Sequence, residues 1–210
     1  MFKMRQKINR VIFILTIIAA ALAILNVSLI LTKSPSLISL TGFATSTGTV
    51  NVSIEAVVSI NFTTSHINWS YGQVTSGQTS ATLMTDGPSV SNGNWSTTGV
   101  SGLVLENIGN VNVSLKVGAG KTALELLGGT DPIYQWNFTE VVGEEGGCTN
   151  HTDTNLSLTY YDANASIGVC EVFNYLNDKD SIRIDFKLVI PYNSLTGIRE
   201  DTITATATAI

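Results

Sequence analysis

Residues 50–62, VNVSIEAVVSINF, restrict the fold more than any other stretch of this chain. Val50, Val52, Ile54, Ala56, Val58, Ile60 and Phe62 fall on one face of an extended backbone; Asn51, Ser53, Glu55, Val57, Ser59 and Asn61 fall on the other. A period of two is what a strand with one buried face requires, whereas a helix would scatter the same apolar side chains around its axis. The pattern recurs in VNVSLKV (111–117), YQWNF (134–138), LSLTY (156–160), SIRIDFKLVI (181–190) and TITATATAI (202–210), and more weakly at 67–71, 79–84 and 103–106. Between these runs, SYGQ, TDGPS, SNGN, NIGN, LGGTDP and IPYNSLTG supply Gly, Asn, Asp and Pro for turns. The one helical candidate in this part is the short KTALELL. The pattern predicts an all-β domain over 47–210, an antiparallel two-sheet sandwich of jelly-roll or Ig-like form with about eight or nine strands.

The N-terminus reads differently. Residues 1–10 carry Lys3, Arg5, Lys7 and Arg10 and no acid, and residues 11–32 then run without a charge. A helix of that length just spans a hydrocarbon core of about 30 Å. Basic residues on its N-terminal side hold that end in the cytoplasm, so the body lies outside the cell, joined through a linker at 33–46. The chain is thus expected to meet the lipid bilayer through 11–32. Ala21-Leu22-Ala23 has the small-x-small form of a leader cleavage site, so the alternative is secretion after the leader is cut there or further on. Both readings export the body.

Charged residues are 13% of the chain and the net charge is -5. That leaves no basic stripe for nucleic acid, and Ser, Thr and Asn take the place of charge on the surface. Asn-x-Ser/Thr occurs at Asn26, Asn51, Asn61, Asn68, Asn94, Asn112, Asn137, Asn150, Asn155 and Asn164, where 17 Asn and 46 Ser or Thr would give roughly four by chance. Asn26 lies inside the apolar run, which leaves nine candidates for N-glycosylation. Asn51, Asn61, Asn112, Asn137 and Asn155 fall on the polar faces of predicted strands, where a sugar would not enter the core.

Cys148 and Cys170 are the only cysteines, and in an exported body a pair is most simply a disulfide. Metal is the competing reading, since Cys148-Thr-Asn-His151 is C-x-x-H with Cys170 as a third ligand. A structural zinc site wants four such ligands, and the one other histidine, His66, is remote in sequence. The acids of NDKDSIRID offer Asp178 and Asp180 as a weak calcium candidate without EF-hand spacing, and Glu144-Glu145 sit in a solvated turn. Neither H-E-x-x-H nor G-x-S-x-G occurs, and no residue set points to catalysis or to a cofactor.

LTGFATSTGTVNVSI (40–54), LVLENIGNVNVSLKV (103–117) and LVIPYNSLTGIREDTITATATA (188–209) carry a resemblance. Together they resemble the small, single-pass, Asn-rich surface proteins of archaea, and are more distantly similar to camelysin/TasA-type fibre subunits and WxL-type surface domains. The shared features are an N-x-G-N strand and an ending of the form VP…G…T-x-T-x-T. The resemblance implies a jelly-roll-like sandwich on the cell surface. For the fibre subunits it also implies polymerisation, in which an N-terminal strand of one subunit completes the sheet of the next; Thr47–Phe62 is the matching strand. A chain still fixed in the membrane cannot freely donate that strand, so the filament role requires removal of the leader.

The expected function is therefore a non-enzymatic structural surface glycoprotein, self-associating or binding other surface proteins through edge strands. The alternative is an adhesin or carbohydrate-binding module, for which Trp95 in SNGNWSTTG is the candidate exposed platform while Trp69 and Trp136 face the core. GAGKT at 118–122 imitates the end of a phosphate loop, but Leu115 stands where its first glycine belongs. The stretch reads as a turn and short helix between strands, with no nucleotide expected.

Overall fold

The computed structural model describes residues 12–26, 47–150, 159–163 and 166–210. The chain separates into two units, Met1–Ser53 and Ile54–Ile210. In the first, residues 12–26 form a helix (α1) with exposed side chains. These fifteen residues span about 22 Å, and among the described residues no helix is long and apolar enough to cross a membrane. The rest of the predicted span at 11–32 lies outside the described residues.

The second unit is almost entirely β. Its strands are β1 (Asn61–Thr64), β2 (Ser80–Met84), β3 (Ser89–Ser91), β4 (Leu103–Glu106), β5 (Val113–Ala119), β6 (Ile133–Glu140), β7 (Cys148–Thr149), β8 (Tyr161–Asp162), β9 (Ile167–Phe173), β10 (Ser181–Pro191) and β11 (Ile203–Ala209), with one short helix, α2 (Ala123–Leu127). Two antiparallel sheets result. In the larger, β10 is long enough to pair with β4 through its first half and β2 through its second, and β6 runs along its other side; β1, β3 and β8 extend the flanks. The smaller has the order β11-β5-β9-β7.

The alternation of β10 explains its central place. Ile182, Ile184, Phe186, Leu188 and Ile190 are buried in one core cluster with Trp136 and Phe138 of β6, Leu103 and Leu105 of β4, and Val113, Leu115 and Val117 of β5. That cluster draws on both sheets, so each covers the apolar face of the other. Trp136 packs against Phe138 at 5.5 Å between ring centres.

Cys148 and Cys170 are joined as a disulfide, with Cα atoms 5.4 Å apart, fastening β7 to β9. Closing a loop of this length stabilises by about 3 kcal/mol in the chain-entropy picture. The C-x-x-H metal reading falls here, because both thiols are consumed; His151 lies outside the described residues.

Three predicted strands change. Of residues 50–62, only Asn61 and Phe62 are paired, and β1 continues to Thr64; residues 50–60 pair with nothing in a ladder. Residues 67–71 form no strand. The predicted strand at 156–160 lies mostly outside the described residues. β9, by contrast, is a full strand that alternation does not announce: Ile167, Gly168, Val169 and Cys170 are all buried, so both faces are covered and the period of two disappears.

Candidate functional site

Gly118 and Ala119 end β5, residues 120–122 turn, and Ala123–Leu127 form the short helix α2, so the stretch is the connection expected of it. Thr122 caps α2: its hydroxyl accepts the Glu125 N–H while the Glu125 carboxylate accepts the Thr122 N–H, a reciprocal pair. Those hydrogen bonds hold the Glu125 carboxyl below its usual range. Lys121 Nζ donates to the Glu200 carbonyl at 2.6 Å, and a Cβ on Gly120 would lie 2.8 Å from an Asp201 carboxylate oxygen. The ammonium is engaged and the neighbouring groups are acids, an environment that repels phosphate.

Three clusters of polar side chains stand out elsewhere. On the outer face of β10, Arg183 holds Asp185 with two hydrogen bonds of 2.7 and 3.0 Å, and Thr85 Oγ donates to the same carboxylate at 2.6 Å. Gly102 makes room for it, since a Cβ there would sit 2.4 Å from Asp185 Oδ1. Both oxygens of Asp185 are therefore occupied, which suits a structural tie and not a general base. Tyr160 lies nearby, its hydroxyl pushed up to about 12 by burial and by Asp86 and Asp185, with Lys187 Nζ 5.9 Å from its ring centre. In a second cluster Tyr134 donates to Asp201 at 3.1 Å, and burial followed by the Asp201 charge raises its pKa.

The third cluster is acidic. Asp180 is buried ahead of β10, and burial raises its carboxyl above the ordinary range, aided by Glu144; burial, Asp180 and Glu144 do the same to Glu106. Asp178, predicted as its partner at a calcium ion, is exposed in the preceding turn while Asp180 is buried. Among the described residues no group of three or more His, Cys, Asp or Glu is arranged to hold a metal.

The predicted glycosylation sites separate by exposure. Asn51, Asn61, Asn68, Asn94 and Asn150 are exposed, and Asn112 is half-buried. Asn155 and Asn164 lie outside the described residues. Asn137 corrects the expectation of a solvent face: it is 0% exposed, and neither end of its amide has a hydrogen-bond partner among the described residues. It does point away from the core, directly across from Asp185, but this patch of the outer face is itself covered. Trp95 is corrected too. It is half-buried, and a Cβ at Gly72 or Gly93 would lie 2.2 or 2.7 Å from its ring, so the indole is packed between two glycines instead of standing free. Trp136 is in the core and Trp69 packs against it, as their alternation predicts.

The feature that remains is the unpaired stretch before β1. Val50, Val52 and Ile54 are 97%, 84% and 82% exposed. The segment is nevertheless gripped at its C-terminal end. Val57 N–H donates to Asn110 Oδ1 at 2.6 Å, Asn110 Nδ2 donates to the Glu55 carbonyl at 2.9 Å, and Asn110 N–H donates to the Val57 carbonyl at 3.1 Å. One side-chain amide thus imitates a neighbouring strand. A Cβ on Gly109 would approach the Val57 carbonyl to 2.3 Å, so glycine is required beside that clamp. The sequence shows the NIGN turn but gives no signal that its last Asn reaches back across 53 residues.

The smaller sheet offers a counterpart. β11 pairs with β5 on one side and with no described strand on the other. Its seven residues, ITATATA, include no charge and no proline, the usual protections of a free edge. Ile203, Ala205 and Ala207 turn toward the core but stay half-buried. Compared with known proteins, the chain matches no family model, no curated protein and no solved structure.

Proposed function

We propose that this is a non-enzymatic structural protein of the cell surface, a jelly-roll-like β-sandwich that assembles by strand addition. The observation that carries the reading is the pairing of opposites within one chain: an alternating, exposed, unpaired segment at 50–54 and a free, uncharged, seven-residue edge at β11. A strand laid along β11 would satisfy the edge's open N–H and C=O groups, and its Val and Ile side chains would cover the space beside Ala205 and Ala207. Burying three such side chains removes enough apolar surface to favour association by several kcal/mol before ordering costs.

In this reading residues 11–32 deliver the body across the membrane, anchored there or released by leader cleavage, and release frees the segment ahead of the Asn110 clamp, residues 47–54, for donation. Glycans would stand on Asn51, Asn61, Asn68, Asn94 and Asn150, and none of the nine candidate sequons lies on β11. The kinship with Asn-rich archaeal surface proteins and TasA-type fibre subunits belongs to the same proposal.

Negative-stain electron microscopy of the native protein tests it. Ordered fibres or sheets are expected, and a strictly monodisperse monomer at high concentration would sink the assembly reading. Intact mass and N-terminal sequencing of the same material report leader removal, occupied sequons and the disulfide.

A further inference from the structure

The covered patch around Asn137 holds more than the Arg183–Asp185 tie. β10, β6 and β8 lie side by side, so their outward residues fall into rows across the three strands. One row is Lys187, Gln135 and Asp162; the next begins with Asp185 and Asn137. Carrying the β6–β8 register one step past Trp136 opposite Tyr161 sets Tyr160 beside Asn137. The Tyr160 hydroxyl feels the charges of Asp185 and Arg183 on β10, so the side chain reaches back over the strand pair.

Gln135 and Lys187 leave their shared row in different directions. Gln135 Nε2 donates to Asp162 at 2.9 Å and so turns toward β8. The Lys187 ammonium lies 5.9 Å from the centre of the Tyr160 ring, which belongs to the other row and to the far side of β6. A lysine on β10 approaches that ring by running diagonally over β6. The residue on that diagonal is Asn137, with its Cβ about 7 Å from that of Lys187. Lys187 and Tyr160 therefore close over Asn137 from its two neighbouring sides. Beneath them the Asn137 amide is fully buried, and neither it nor the Tyr160 hydroxyl has a hydrogen-bond partner among the described residues. A buried amide in that state is costly to the fold, and here a primary amine is held beside it.

We propose that Lys187 and Asn137 are a cross-linking pair: the lysine amine displaces the side-chain nitrogen of Asn137 as ammonia, leaving an amide bond between β10 and β6. The half-buried Lys187 ammonium first gives one proton to solvent. Nζ then adds to Asn137 Cγ, and the electron pair of the C=O bond moves onto Oδ1. As that double bond re-forms, the Cγ–Nδ2 bond breaks; Nδ2 takes the second Nζ proton and leaves. One amine and one primary amide become one secondary amide and one ammonia, with nothing oxidised or reduced.

Holding both groups on paired strands removes most of the entropic cost of bringing them together. Tyr160 is the donor for the charge that develops on Oδ1. Burial, then Asp86 and Asp185, push its hydroxyl up to about 12, so it keeps its proton while the amine attacks. Asp185 stays in its tie to Arg183 and Thr85 and takes no proton. The product fastens the longest ladder of the larger sheet, and unlike the disulfide between β7 and β9 it withstands reductants.

The experiment uses the full-length chain in mild detergent, made in a host that adds no glycans. The folded protein is aged, then reduced, unfolded and digested with trypsin for mass spectrometry, with thermal melts to establish that each variant is folded. Trypsin cuts after Lys121, Lys179, Arg183, Lys187 and Arg199. The expected product is residues 122–179 joined to residues 184–199, uncut after Lys187 and lighter than the two peptides together by one ammonia. Lys187→Arg keeps the positive charge beside Tyr160 and should return residues 122–179 unjoined and at full mass. Tyr160→Phe keeps the ring and should slow the appearance of the joined species at least about tenfold. Complete release of residues 184–187 and 188–199 from the aged, unaltered protein would overturn the cross-link. Loss of ammonia from residues 122–179 to the same extent in Lys187→Arg would overturn it too, since the asparagine would then be reacting without the lysine. A Tyr160→Phe protein that joins as fast as the unaltered chain would overturn the part given to Tyr160.

Discussion

Residues 50–60 and β11 carry nearly the same message in sequence and come to opposite ends in the fold. Both alternate apolar and small polar residues, and both lack proline. β11 lies against β5 in unbroken register from Ile203 opposite Ala119 to Ala209 opposite Val113. The earlier segment has larger, more β-prone apolar residues and yet reaches no ladder until Asn61. Alternation states that a segment can be a half-buried strand; the partner that makes it one comes from elsewhere in the chain, or from another chain. The difference is thus one of supply, since the smaller sheet ends at an edge and no segment of the same described body closes it.

That comparison can be broken from either side. The largest effect is expected at the edge already sealed: removing the disulfide between β7 and β9 with Cys170→Ser should cost about 3 kcal/mol in chemical denaturation. Equal stability in the variant would mean that β7 is held by pairing alone. Next, Ala205→Asp on β11 puts a carboxylate against the core and should cost about 2 kcal/mol. Val52→Asp in the unpaired segment should shift stability of the monomer by less than about 0.5 kcal/mol. Equal losses at both positions would show that the two segments are not different after all. Asn110→Ala removes two of the hydrogen bonds that hold residues 55–57 and should cost about 1 kcal/mol. Hydrogen exchange should then show the Val57 amide losing its protection while the β11 amides bonded to β5 keep theirs.

The smallest expected effect concerns pH. Glu106 and Asp180 have carboxyls raised in the folded state, chiefly by burial. A raised carboxyl binds its proton more tightly when folded, so its contribution is fully present below the unfolded value and is lost as pH rises through the folded one. The share of stability that these two groups supply should therefore decline as pH climbs from about 4 toward neutrality. Glu106→Gln should flatten that decline and raise the melting temperature at neutral pH by about 1–2 °C. An unchanged pH profile in the variant would place the cause in other groups.

What could be read from the sequence follows what is local. β4, β10, β11 and the capped helix α2 were legible because each carries its own periodicity or cap, and a disulfide was the simplest fate of two cysteines. β9 was not, because a strand buried on both faces looks like an undirected apolar run. The grouping of Glu106, Glu144 and Asp180 was hidden as well, since its members come from β4, the β6–β7 loop and the turn before β10. Asn137 misled for a subtler reason. Period two assigns a residue to the outward face, but it does not reveal that a particular outward patch is covered.

The covered position of Asn137 sets an order of events. Asn137-Phe-Thr139 is a sequon, yet the folded chain offers no part of Asn137 to solvent. A glycosyltransferase could reach it only before that outer patch of β6 is covered, and a sugar attached then would keep the cover from settling on the larger sheet. In any host that modifies this protein, occupancy at residue 137 in the newly made chain becomes a clock. It compares the speed of transfer with the speed at which that outer patch is covered, and the exposed sequons, reachable at all times, keep no such record.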